Sequence, residues 1–94
     1  MKSALSFKQQ GQEVTLSHGI MTIGREKVNK MVVSEPTISN RHAKIVTFNK
    51  AAYIHDLGST NGTYVNDIKI ECQRLRAGDL VKVGEYSFKI AAID

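Results

Sequence analysis

One cysteine, one proline and no tryptophan occur in this chain of 94 residues, and each scarcity narrows what the chain can be. A single thiol, Cys72, excludes an internal disulfide, and without a cysteine cluster there is no zinc-finger framework. We expect Cys72 to be a half-buried free thiol in a reducing cytosol. No apolar run approaches the roughly 20 residues that cross a bilayer as a helix. The start Met1-Lys2-Ser3-Ala4-Leu5 leads into alternating sequence without the apolar centre of a secretory leader, so a cytoplasmic location is expected. Helix signals are nearly absent as well. The one candidate, Lys69 to Arg76, reads better as extended chain because Ile68, Ile70 and Cys72 alternate. Repeats, linkers and low-complexity tracts are missing too, and the lone Pro36 falls in a loop.

What is present is strand-like. Hydrophobic residues at 41% and charged residues at 23% describe an ordinary globular chain, long enough for one modest core and too short for two. Short segments with period-two character recur at Leu5 and Phe7, Val14 and Leu16, Ile20 to Ile23, Met31 to Val33, Ala43 to Phe48, Ala52 to Leu57, Tyr64 to Val65, Ile68 to Ile70, Leu80 to Val83 and Tyr86 to Ile93. Turn formers separate them: Gln10-Gly11, His18-Gly19, Asn49-Lys50, Asn66-Asp67, Ala77-Gly78 and Gly84-Glu85. Many short strands at close spacing predict a β-sandwich or barrel. In the last third, alternation places Val81 and Val83 on one face and Leu80 and Lys82 on the other, and Phe88 and Ile90 repeat the inward pattern.

The densest polar signal is Asp56-Leu57-Gly58-Ser59-Thr60-Asn61-Gly62-Thr63, where hydroxyls, an amide and two glycines share one turn after an apolar segment. Upstream stand Gly24-Arg25 and Ser39-Asn40-Arg41-His42, and downstream Gly78-Asp79-Leu80-Val81-Lys82-Val83-Gly84. In this order the motifs resemble those of the forkhead-associated (FHA) domain, a module that reads phosphothreonine in other proteins. The resemblance covers nearly the whole chain. It implies an all-β fold, an antiparallel β-sandwich of two stacked sheets with about 10–11 short strands. It also implies one domain over residues 1–94, which can be the N-terminal part of a longer protein, acting as a non-catalytic signalling module without a cofactor. The partner it implies is a phosphothreonine-containing protein or peptide marked by a serine/threonine kinase, not a nucleic acid and not a membrane.

Within that resemblance Arg25, Ser39, Asn40, Thr60 and Asn61 bind the phosphopeptide, while Gly24, His42, Gly58 and Gly62 support the site. Their chemistry suits the task. A phosphoryl group brings about −1.5 to −2 charges and three acceptor oxygens, so its receptor needs a permanent cation and several donors. Arg25 supplies a planar fork that keeps its charge, and Ser39 a hydroxyl that can rotate toward an oxygen. Asn40 stands where the family more often has arginine, replacing a charge with a neutral donor. The Thr60 hydroxyl is assigned to the phosphate and the Asn61 amide to the flanking peptide backbone, for which an amide both donates and accepts. Gly58 and Gly62 would allow positive φ, and Ser59 and Thr63 would tie the loop to itself.

Competing readings are weaker on the same residues. Ser39, His42 and Asp56 carry the names of a hydrolytic triad, but no Gly-x-Ser-x-Gly elbow is present, and the family's histidine is a brace between loops. A nucleotide phosphate loop needs a lysine and a following helix that the stretch from Gly58 to Thr63 lacks. His18, His42 and His55 show no metal-ligand spacing. The formal net charge of +4 and pI of about 9.4 fit a nucleic-acid-binding β module as the alternative function. Against it, the basic residues are scattered and no ribonucleoprotein-type Gly-Phe motif is present to stack bases.

Overall fold

The computed structural model describes residues 12–94, so the strand expected at Leu5 and Phe7 and the turn at Gln10-Gly11 lie outside it. The described residues form strands β1 (Gln12–Leu16), β2 (Gly19–Gly24), β3 (Met31–Val32), β4 (Ala43–Phe48), β5 (Ala51–Asp56), β6 (Thr63–Val65), β7 (Ile68–Ile70), β8 (Cys72–Leu75), β9 (Leu80–Val83) and β10 (Tyr86–Ile93). No helix occurs among them, and hence none long and apolar enough to cross a membrane. They assemble into two five-stranded sheets, ordered β1-β10-β9-β6-β7 and β3-β2-β4-β5-β8.

The sandwich expected from the resemblance is present, but its pairing is mixed. β1 runs parallel to β10, and β2 parallel to β3, while the remaining neighbours are antiparallel. Alternation records which face a residue takes and nothing about strand direction. The direction of pairs with no hairpin between them was therefore invisible.

One core joins the inward faces. Leu16, Val65, Val81, Val83, Phe88 and Ile90 come from the first sheet, and Ile23, Ala43, Ile45, Ala52, Ile54 and Leu75 from the second. Each large apolar side chain fully removed from water contributes about 1.5–3 kcal/mol, which fixes strand register because a slip of one residue would turn these groups outward. Val81 and Val83 are buried while Leu80 and Lys82 face out, as the alternation requires.

The segment from Lys69 to Arg76 is extended, but it is broken at Glu71, with β7 in one sheet and β8 in the other. Cys72 departs from expectation: it is exposed, not half-buried. The reason is its register. It pairs with His55 on the outer side of edge strand β8, while Leu75 takes the inward position against Ala52.

Two-residue hairpins close one end of the sandwich. Asn49 and Lys50 adopt φ 53° and 63°, and Asn66 and Asp67 adopt φ 51° and 69°, the left-handed pair of a type I′ turn. At the opposite end lie the connections 25–30, 33–42 and 57–62 together with the Gly84-Glu85 turn. That rim carries the polar motifs.

Candidate functional site

Gly24 ends β2, and its lack of a side chain sets how close the rim connections come. A Cβ built there would lie 2.2 Å from the Asn40 carbonyl oxygen, so no other residue permits this approach. The two segments are stitched by backbone bonds, Arg25 N–H to Ser39 O at 3.1 Å and Glu26 N–H to Asn40 O at 3.2 Å. Buried Asn29 adds its amide, donating to Glu26 O and Asn40 O, each at 2.8 Å. Sequence reasoning passed over Asn29, because an asparagine in a polar loop gives no sign that it will be enclosed.

His42 joins the second connection to the third. Its Nδ1 accepts the Ser39 N–H at 3.2 Å, so Nε2 carries the hydrogen and donates to Gly62 O at 2.8 Å. The ring is wholly enclosed, at 0% exposure. Its own backbone continues the seam, the N–H donating to Ile23 O at 2.8 Å and the carbonyl accepting from Leu57 N–H at 2.9 Å.

The third connection is organised by Asp56. One carboxylate oxygen accepts from the hydroxyls of Ser59 at 2.6 Å and Thr63 at 2.7 Å. The other accepts the N–H groups of Gly58 at 3.0 Å and Ser59 at 3.1 Å. Partial burial works against the charged carboxylate. The hydroxyls of Ser59 and Thr63 and the two N–H donors outweigh it and hold Asp56 below the usual carboxylate range. The Ser59 hydroxyl oxygen in turn accepts Gly62 N–H at 3.0 Å. Ser59 and Thr63 thus tie the loop down through a carboxylate, a role the sequence reading had not given to Asp56. Gly58 and Gly62 hold φ 73° and 88°, conformations that L side chains rarely adopt.

On this frame the candidate binding residues meet in pairs. Arg25 Nη2 donates to Asn40 Oδ1 at 3.3 Å. Arginine can only donate, so the Asn40 oxygen faces it and the Asn40 NH2 remains a donor for something else. Ser39 Oγ accepts Thr60 N–H at 3.1 Å, which uses a lone pair and leaves the hydroxyl hydrogen to give. Asn61 Nδ2 donates to Thr37 O at 2.7 Å, a bond that does not use its Oδ1 or its second amide hydrogen. Thr37 also holds the fourth part of the rim, its hydroxyl oxygen accepting Glu85 N–H at 2.9 Å. Arg25, Asn40, Thr60 and Asn61 are exposed and Ser39 is half-buried. The result is a rim on which the Arg25 guanidinium stands beside several spare donors fixed in place, while Arg41 is engaged by Glu26, an arrangement suited to a compact anion.

The same geometry does not assemble Ser39, His42 and Asp56 into a triad. His42 Nδ1 bonds the Ser39 backbone, not its hydroxyl, and Asp56 is committed to Ser59, Thr63 and Gly58. Neither His42 nor Asp56 therefore stands as a base against the Ser39 oxygen. Among the described residues, no group of three or more His, Cys, Asp or Glu side chains is placed to hold a metal ion.

Comparison with known proteins bears on the whole arrangement. The family model of the FHA domain matches residues 21–84. The FHA domain-containing protein FhaB of Mycobacterium tuberculosis is 33% identical over 81 residues, which cover 85% of this chain and 52% of FhaB. The chain thus spans about half the length of that relative. A solved chain from a structural and functional analysis of phosphothreonine-dependent FHA domain interactions superposes with a TM-score of 0.72 at 31% identity, over 74% of this chain and 73% of its own. Mycobacterium tuberculosis EmbR, solved in complex with a low-affinity phosphopeptide, gives a TM-score of 0.74 at 28% identity, over 80% of this chain and 20% of EmbR.

Proposed function

The chain belongs to the FHA domain family, and on that premise we propose that it binds phosphothreonine in a partner protein at the rim formed by Arg25, Ser39, Asn40, Thr60 and Asn61, without performing chemistry of its own. The observation that carries this reading is the set of spare donors around Arg25. The Asn40 amide is turned by Arg25, the Ser39 hydroxyl has its lone pair engaged by Thr60 N–H, and Asn61 is held by Thr37, so each presents donors without reorganising. Arg25 contributes the permanent charge that a phosphate needs, and its fork can grip two oxygens. Asn61 is suited to the peptide backbone beside the phosphothreonine. Gly24, His42, Gly58 and Gly62 act from behind by fixing the loops.

A serine/threonine kinase would supply the mark, and the chain would act as a reader in cytoplasmic signalling. That His42 and Asp56 are both committed away from Ser39 Oγ supports reading the module as non-catalytic. A library of peptides with a fixed phosphothreonine and degenerate flanks tests the assignment when screened beside matched libraries carrying phosphoserine or threonine. Strongest selection from the phosphothreonine library, weaker selection from the phosphoserine library and none from the threonine library are expected. Equal selection from the threonine library would overturn the proposal.

A further inference from the structure

Lys69, Tyr64, Lys82 and Ser87 stand in one row on the outer face of the first sheet, each paired with the next across β7, β6, β9 and β10. Their outward direction follows from their neighbours: Thr63 and Val65 flank Tyr64 and are buried, as are Val81 and Val83 beside Lys82. Lys82 Nζ sits over the Tyr64 ring, 5.8 Å from its centroid. Lys69 reaches back toward the rim, since a Cβ built on Gly62 would lie 3.0 Å from its Cε. The next row adds Lys89 opposite Leu80. Among the described residues none of these lysines forms an ion pair, although Asp56 and Glu71 line the same cavity as Lys69 and Glu13 stands opposite Lys89. Two lysines thus flank an aromatic ring, about 10 Å apart across three strands, with Lys69 beside Gly62 and neither held in an ion pair among the described residues.

We infer that the Lys69–Tyr64–Lys82 face is a second recognition surface, which takes an acidic segment of the same partner that places its phosphothreonine on the rim. The inference rests on the proposed phosphothreonine reading and extends it to a partner class. An extended peptide advances about 3.3 Å per residue, so a chain leaving Asn61 toward Gly62 reaches Lys69 within a few residues. Aspartate or glutamate there meets Lys69 and Lys82, while the Tyr64 ring offers a flat surface for the peptide backbone and apolar stems. Each such exposed ion pair is individually weak. Their combined effect is a preference of about three- to tenfold, enough to choose among phosphothreonine sequences.

The test uses fluorescence anisotropy with four labelled probes: phosphothreonine peptides with neutral flanks, with acidic residues before the mark and with acidic residues after it, and a single-stranded oligonucleotide. One of the two acidic peptides should bind about three- to tenfold more tightly than the neutral one, with a steeper salt dependence. Lys69→Gln with Lys82→Gln should bring that peptide to the neutral level and leave the neutral phosphopeptide unchanged, and Lys69→Arg with Lys82→Arg should restore the preference. Equal affinity for all the phosphopeptides, or a preference that survives the glutamine pair, overturns the inference and leaves the phosphothreonine reading standing. Failure of every phosphopeptide to bind overturns both. Oligonucleotide binding lost in the glutamine pair, without any acidic preference, would assign the face to nucleic acid instead and overturn the inference.

Discussion

His42 is enclosed and bonded at both ring nitrogens, so its removal opens a void, strips the Ser39 N–H of its partner and leaves the Gly62 carbonyl only the long bond from Gly84 N–H at 3.4 Å. His42→Ala should cost about 1–3 kcal/mol of stability and lower the melting temperature measured by calorimetry, with binding weakened only through the loosened loops. A variant that melts like the parent would contradict the bracing role. Arg25 is the converse case, exposed and, among the described residues, bonded through its side chain to Asn40 alone. Arg25→Ala should leave the melting temperature unchanged and weaken phosphopeptide binding roughly tenfold to over a hundredfold, the effect of losing about 1.5–3 kcal/mol of charge-assisted bonding. Asp56 adds a pH dependence. Its carboxyl is held below the ordinary range in the folded chain, so its contribution is present above about pH 4 and is lost as pH falls through the lowered folded value. Melting temperatures followed from neutral pH down to about pH 3 should fall more steeply for the parent than for Asp56→Asn. Parallel curves would show that the carboxylate network does not stabilise the loop. At this scale the sequence disclosed residue types far better than partners. Ser39, Asn61 and His42 stand out in short motifs, whereas Asn29 and Asp56 act through bonds to residues up to 11 and 7 positions away that no local pattern announces.

Strands and turns follow from simpler rules, and most were legible. Alternation at Val81 and Val83, and at Phe88 and Ile90, identifies inward faces because a half-buried sheet has period two. The hairpins were legible as turns through Asn49-Lys50 and Asn66-Asp67, although neither pair contains the glycine that a type I′ turn favours. Asp67 stands where the family often carries glycine, yet it holds φ 69°, and the Asn66 side chain secures that turn by accepting Leu80 N–H at 3.0 Å and donating to Asp79 at 3.0 Å. Lys50 stands in the same left-handed region at φ 63°. Lys50→Gly relieves about 1–2 kcal/mol of left-handed strain against about 0.5–1 kcal/mol of added chain entropy, and should raise the melting temperature by a few degrees. A lower melting temperature would mean the lysine is not strained there. Less legible was the break at Glu71, because nothing in the alternation of Ile68, Ile70 and Cys72 marks where a chain passes from one sheet to the other.

At the scale of the molecule, a two-sheet core carries three rim connections that are bonded to one another. Stitches run from Gly24 and Asn29 to Asn40, from His42 to Gly62, from Asn61 to Thr37 and from Thr37 to Glu85, so the donors of the proposed site are held in place by the protein itself. Such preorganisation lowers the ordering entropy of binding. The ligand's own charge then governs the response to pH. Phosphothreonine gains its second charge near pH 6, so affinity should fall as pH drops through that value. Phosphoserine, lacking a methyl worth up to about 0.8 kcal/mol when buried, should bind less tightly. The central claim is that this rim recognises the phosphoryl group on threonine, and calorimetric titration of one peptide in its threonine and phosphothreonine forms at about pH 7.5 tests it most directly. Binding of the phosphothreonine form alone, lost in Arg25→Ala, is the predicted result, and equal heats from the two forms would contradict the account.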